Sequence, residues 1–252
     1  MRKRSPWFIL SLCCALCFVS CATNMAERKL KAEAFRHLGE RYLAQRNVRG
    51  ALKEFLKAEA LYDEDHLLQN DLGLAYSEMG KLDLALKHFE KALDLNPDYA
   101  GAWNNMGTIY IKMEEWYKSI GIFNLALDQL LYATPHFALN NLGEAYRGKK
   151  DYERSVLYYR KALHAEPRFV RAHRGLALTY MDMGDYDTAI SSLEKAVEYA
   201  PDFALAYYDL GRAYIGKYNR EKALSAFKKV IALVPDSPLA DAASAEMSRL
   251  QR

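Results

Sequence analysis

The sequence predicts an all-α solenoid in which stacked helix pairs take the place of one central core. Three observations lead there. A pattern of small, aromatic and proline residues returns with a period of 34 residues. Within each period the apolar residues fall at the three- and four-residue spacing of two amphipathic helices. The composition, 51% hydrophobic and 27% charged, is that of a folded chain. One helix pair cannot bury its apolar faces alone, so neighbouring pairs must stack, and stability becomes a sum of repeat and interface contributions.

The N-terminus stands outside that pattern. Arg2-Lys3-Arg4 lead into an apolar run from about Trp7 to Val19, too short for a bilayer core of about 30 Å and suited to the core of a signal peptide. All four cysteines, Cys13, Cys14, Cys17 and Cys21, lie in or at the end of this run, so they form neither a disulfide framework nor a metal site. The three N-terminal cations account for the whole formal charge of +3. The remaining chain is balanced, which argues against a nucleic-acid partner. The expected organisation is a signal peptide over 1–20, a tether over 21–31 that could prolong the first helix, six repeats over 32–237 and a capping helix over 238–252. The repeats run approximately 32–65, 66–99, 100–135, 136–169, 170–203 and 204–237.

The clearest copy is Leu67 to Tyr99, with Leu72-Gly73, Tyr76, Gly80, Ala85, Phe89, Ala92 and Pro97 at its marked positions. It predicts helices from about Leu67 to Glu78 and from about Leu82 to Asp94. Small Gly73 and Ala85 let the two backbones approach, and Tyr76 and Phe89 fill the space left. The pattern returns at Met106-Gly107, Tyr110, Ser119, Phe123 and Ala126, and at Leu210-Gly211, Tyr214, Gly216, Ala223, Phe227 and Pro235. Pro97-Asp98, Pro201-Asp202 and Pro235-Asp236 stop the second helices, and each Asp is placed to cap the next helix. At the third boundary the second helix is expected to run longer, with Thr134 as cap and Pro135 at the first helical position.

Catalytic motifs are missing. The six histidines, His37, His66, His88, His136, His164 and His173, show no HExxH spacing and read as solvated surface residues. No GxGxxG, GxxxxGK[ST] or GxSxG occurs, and acidic groups such as Asp63-Glu64-Asp65 sit at helix ends. A sugar- or peptidoglycan-processing enzyme needs two carboxylates facing one cleft, which the spacing does not supply. The expectation is a protein without catalysis or cofactor.

The wording Trp103, Met106-Gly107, Tyr110 and Ala126, with Phe and Pro at the positions above, resembles the tetratricopeptide repeat, W-x2-L-G-x2-Y, A-x3-F, P, over about four fifths of the chain. The resemblance implies a right-handed superhelix whose first helices line a concave groove that holds a partner. Carried onto this sequence, the groove stripe takes Asn70 and Leu74, then Asn104 and Ile111, then Phe137, Asn140, Glu144 and Arg147. It continues with Arg171, Arg174, Leu178 and Met181, and with Leu205, Tyr208 and Arg212. The amides Asn70, Asn104 and Asn140, with Asn105 and Asn141 beside them, either pair with the backbone of an extended peptide or only meet water. Leu74, Ile111, Phe137 and Met181 are either side-chain pockets or packing between repeats. Arg171 and Arg174 either grip a carboxylate as Arg forks do or form a solvated rim.

Ser20-Cys21 at the end of FVSC resembles the lipobox of bacterial lipoproteins, although Phe18 stands where that motif prefers Leu. The resemblance implies lipidation of Cys21, and Ala22 after it implies delivery to the periplasmic face of the outer membrane, with the lipid as the chain's membrane contact. Lipobox, six repeats and the wording AWNNMG…DQLLYATPHFALNNLG together resemble the pilotins of type IV pilus systems. That implies a secretin subunit as partner; the alternative is a scaffold for another cell-envelope assembly.

Overall fold

The computed structural model describes residues 6–129 and 132–251. Arg2-Lys3-Arg4, the Cys21 side chain and Leu130-Leu131 lie outside the described residues. Among those described are thirteen α-helices and no strand: α1 (Pro6–Ala44), α2 (Val48–Leu61), α3 (His66–Glu78), α4 (Leu82–Leu95), α5 (Ala100–Lys112), α6 (Trp116–Leu127), α7 (Pro135–Gly148), α8 (Tyr152–Ala165), α9 (Val170–Asp182), α10 (Tyr186–Tyr199), α11 (Ala204–Gly216), α12 (Arg220–Leu233) and α13 (Pro238–Gln251). They divide into two compact units, Met1–Asn105 and Met106–Arg252.

One contact is repeated along both units. Phe55, Phe89, Phe123, Tyr159 and Phe227 occupy one register of the second helices, each at most 3% exposed. The rings lie against Gly39, Gly73, Gly107, Gly143 and Gly211 of the paired first helices, so closely that a Cβ there would fall within 3 Å of ring atoms. In the fifth pair the same two positions hold Leu193 and Ala177, both fully buried. The smaller side chain admits a methyl group where a ring demands its absence, so the slot is filled to the same depth.

The turn between the two helices of each pair has a left-handed residue, Arg46, Gly80, Glu114, Lys150, Gly184 or Tyr218, with φ between 55° and 80°. Glycine adopts that conformation without a Cβ penalty. Tyr218, 96% exposed, therefore holds the position that the sequence pattern assigned to Gly216; Gly216 instead lies against the Tyr186 ring. Second helices end two residues before Pro97, Pro167, Pro201 and Pro235, because proline drives its predecessor out of the helical region: Asn96, Glu166, Ala200 and Val234 have φ from −146° to −137°.

Three expectations need correction. Phe203, and not Asp202, is the N-cap of α11, and Asp236 is itself left-handed. Capping side chains sit chiefly on the second helices, where Asn47, Asp151, Asp185 and Asn219 each accept from the amide three residues on. The second helix at the third boundary is shorter than its counterparts, 12 residues against 14, and Thr134 occupies the N-cap without a side-chain bond. His173 and His88 are not solvated. His173 is 6% exposed with Nε2 2.9 Å from the Pro167 carbonyl, and His88 pairs with Gln69 at 2.8 Å and stacks on Tyr76. Burial holds both below the ordinary imidazole range.

In the first unit, three carboxylates surround one guanidinium. Arg36 pairs with Glu40, lies 3.3 Å from Asp65 and 3.6 Å from Asp71. Burial, with Glu40 adding like charge, outweighs Arg36 and pushes the Asp71 carboxyl up to about 7. The folded chain therefore binds this proton more tightly than the unfolded chain, so stability falls as pH rises from about 4 to about 7. Asp71→Asn is expected to flatten that fall and to melt higher than the parent at pH 8. Thermal melts at pH 5 and pH 8 decide; parallel profiles for both proteins would reject the assignment.

Candidate functional site: a polar cavity on the first helices of the second unit

The residues expected to form the groove stripe occupy a common register, and the structure shows how they are used. Arg36, Asn70 and Arg174 each face a residue 35 positions on: Asp71, Asn105 and Asp209. Asn105 donates to Asn70 Oδ1 at 2.8 Å, and Arg174 Nε meets Asp209 Oδ2 at 2.6 Å. This is a ladder of polar contacts from one repeat to the next. Asn70, 5% exposed, is committed to it, which corrects the expectation that its amide stands in the groove for a peptide backbone.

The ladder breaks at Asn140. Thirty-five residues on stands Gly175, which has no side chain to answer. The reason lies on α8, where the slot residue is Tyr159 in place of Phe. Its ring base rests on Gly143, and its far edge reaches Gly175, where a Cβ would lie 2.3–2.6 Å from the outer ring atoms and hydroxyl. Tyrosine at one position thus demands glycine at the other. Asn140, 8% exposed, donates to Asn141 Oδ1 at 3.1 Å, and its own buried Oδ1 has no hydrogen-bond partner among the described residues.

The space so opened is a cavity of about 400 Å³, walled by Asn140, Asn141, Glu144 and Arg147 of α7, Tyr159 of α8, Arg171, Arg174, Gly175 and Leu178 of α9, and Phe203 and Leu205 at the start of α11. Arg147 is held by Asp182 at 2.9 Å. Asp209 lies behind the wall, its side chain 3% exposed, with Arg174 and, at 3.7 Å, Arg212. Burial pushes the Asp209 carboxyl up and these arginines oppose the shift. Burial likewise pushes the Tyr159 phenol up, so it stays a neutral hydrogen-bonding group. Arg171 is exposed and makes no ion pair among the described residues.

Of the residues expected from the sequence, the cavity gathers Asn140, Asn141, Glu144, Arg147, Arg171, Arg174, Leu178 and Leu205. Phe137 is not among them. It is 38% exposed and packs edge-on against Phe169, centroids 5.3 Å apart, and beside His136. Tyr208 rests on Phe227 at 5.6 Å, because the ring is drawn into its own helix pair. In the first unit Leu74 is half-buried and lines a shallow groove with Leu43, Val48 and Glu78. Asn104 and Asn105 are half-buried in that unit, and Ile111 is half-buried in the second. The sequence stripe missed Tyr159, Gly175, Phe203 and Asp209. The signal for two of them was present: Tyr159 and Gly175 are departures from the chain's own repeat.

Family models for the tetratricopeptide repeat match residues 73–113, 98–165 and 180–247. Among solved structures, PilW, described as a widely conserved type IV pilus biogenesis factor, is 22% identical with a TM-score of 0.75, the match covering 84% of this chain and 97% of that one. At that identity the likeness is one of fold. YrrB, described as a TPR protein with an unusual peptide-binding site, is 27% identical with a TM-score of 0.51, over 76% of this chain and 97% of that one. Anaphase-promoting complex subunit 6 of Arabidopsis thaliana is 27% identical over 145 residues, 56% of this chain and 27% of that protein. The chain spans 16–27% of the length of the first curated relatives it matches. Two helices per period, the buried slot contact and the matched stretches agree: the chain is a tetratricopeptide-repeat protein, a scaffold for protein–protein contact.

Proposed function

We propose that this scaffold is a lipid-anchored pilotin, which holds a segment of the type IV pilus secretin on the first-helix face of its second unit and assists the secretin's localisation and assembly at the outer membrane. The observation that carries the binding half of this reading is the cavity at Asn140. At Asn70 and Arg174 the polar side chains of this register are consumed between repeats; at Asn140 an acceptor and a walled space are left for something else. The likeness to a pilus biogenesis factor and to a peptide-binding TPR protein supports the same reading. The anchoring half rests on the Ser20-Cys21 lipobox. Among the described residues no helix is long and apolar enough to cross a membrane, which is compatible with attachment through lipid.

A strain lacking the protein is expected to keep secretin monomer and lose the heat-resistant multimer, read on two blots of the same membranes. Capture of the intact lipoprotein from detergent-solubilised membranes is expected to bring the secretin with it. Unchanged multimer in the deletion strain would remove the pilotin role and leave the broader scaffold.

A further inference from the structure

The outer face of α2, a second helix, departs from its counterparts at two positions. Six residues before the slot residue, α4, α8, α10 and α12 carry Asp83, Glu153, Asp187 and Glu221 in the first turn, where the helix dipole favours negative charge. At that position α2 carries Arg49, and its first turn has no acid. One residue after the slot residue the counterparts carry Glu90, Asn124, Arg160, Glu194 and Lys228, all polar and exposed, whereas α2 carries Leu56, 41% exposed. Leu52, Leu56 and Ala60 form an apolar stripe that Met79, 36% exposed, extends from the end of α3. Arg49, Lys53 and Lys57 flank the stripe. Lys57 is engaged by Glu54 at 2.7 Å; Arg49 and Lys53 are exposed and make no ion pair among the described residues.

A helix face with unpaired cations beside an exposed leucine fits a surface that is negative outside and apolar just beneath, as a bilayer of anionic phospholipid is. The layout of the chain favours that occupant over an acidic protein. Lys57 Nζ lies 5.3 Å from the Phe35 ring and Lys29 Nζ 5.4 Å from the Tyr62 ring, so α1 and α2 run antiparallel and Lys29 stands beside the end of α2. Cys21 comes eight positions before Lys29, a span of at most about 29 Å, so a lipid on Cys21 keeps a bilayer within reach of this face. We propose that the outer face of α2 lies on an anionic phospholipid surface, with Leu56 and Met79 entering the headgroup layer and Arg49 and Lys53 paired with phosphates. The choice of a membrane rests on the anchored reading. The contact goes beyond that reading: it adds a basic patch to the acyl chains as a second membrane signal and decides which side of the first unit meets lipid.

The test reconstitutes the full-length lipoprotein, carrying an environment-sensitive fluorophore on Leu56→Cys, into vesicles of phosphatidylcholine alone or of equal parts phosphatidylcholine and phosphatidylglycerol. The parent chain, treated with the same dye, gives the background, and Ser191→Cys on the exposed face of α10 gives the comparison. In the anionic vesicles the probe at 56 is expected to be quenched by lipid brominated high in the acyl chain, as burial by about 5–10 Å requires. The probe at 191 is expected to stay unquenched, and added salt is expected to weaken the signal at 56. Each cation near such a surface contributes about fivefold, so Arg49→Gln with Lys53→Gln should reduce the seated population about 25-fold. Arg49→Glu is expected to abolish quenching while melting no lower than the parent, since it restores the acid that the helix start prefers, so lost contact is not lost fold. Equal quenching in both vesicles, none in either, or no change in Arg49→Glu overturns the proposal, as does a probe shielded in native membranes but not in protein-free vesicles, which assigns the face to a protein. Flotation of the vesicles separates the two readings: a chain that floats with an unquenched probe loses only this inference, and a chain that does not float loses the anchored reading as well.

Discussion

Two glycine replacements within one helix pair are expected to move stability in opposite directions, Gly107→Leu downward by about 1–3 kcal/mol and Gly121→Ala upward by at most about 1 kcal/mol. Gly107 lies on α5 against Phe123 of α6, and a Cβ there would sit 2.4 Å from a ring carbon. Phe123 is fully buried, so the ring has no space to yield and the two backbones must part. Gly121 lies in the middle of α6, exposed, with nothing within 4 Å of the place a methyl group would take. Alanine there gains the helix preference that glycine lacks and meets no neighbour. Exposed Lys228→Ala serves as the reference for a change without consequence. Urea melts of the parent and the three variants decide: an unaltered midpoint for Gly107→Leu would mean that the slot contact is not made, and a loss for Gly121→Ala would mean that this face is covered.

The second large effect concerns location. Cys21→Ser is expected to transfer the protein almost completely from the outer-membrane fraction to the soluble periplasmic fraction. A single acyl chain holds a protein only marginally and reversibly, at about 0.8 kcal/mol per buried CH₂, whereas several chains on one residue make attachment effectively permanent. Serine offers no thiol to acylate, so the proposed anchor would be lost whole in one substitution. Fractionation before and after an alkaline carbonate wash separates lipid attachment from retention by a bound partner. Persistence in the washed membranes would show that Cys21 is not the anchor.

The slot residues were legible because they repeat: Phe89 with Gly73 and Phe227 with Gly211 stand at the same separation, and a period of 34 is visible without any structure. Helix limits in the second repeat were legible to within a residue, since the proline at 97 and the left-handed glycine at 80 punctuate the chain locally. Asp202 was misread as a cap because a good capping residue beside a proline looks the same whether or not the next turn of helix reaches it. The third boundary misled for a related reason: the apolar run Leu125 to Leu131 is helical in composition, yet α6 ends at Leu127.

The chain by itself determined the architecture, since spacings of three and four residues act within one helix and a small residue opposite a ring can be read from one period to the next. The tertiary structure alone decided which polar residues on the first helices remain for a partner. Asn70 and Asn140 are equivalent in the sequence, yet the first is answered by Asn105 and the second is not answered by Gly175. Such pairs meet 35 residues apart, across the stack, where their partners are set by how one helix pair lies on the next. The unanswered amide at Asn140 traces to Tyr159, whose outer ring edge occupies the place of a Cβ at Gly175; a buried ring excludes a side chain, and the excluded side chain leaves a polar cavity.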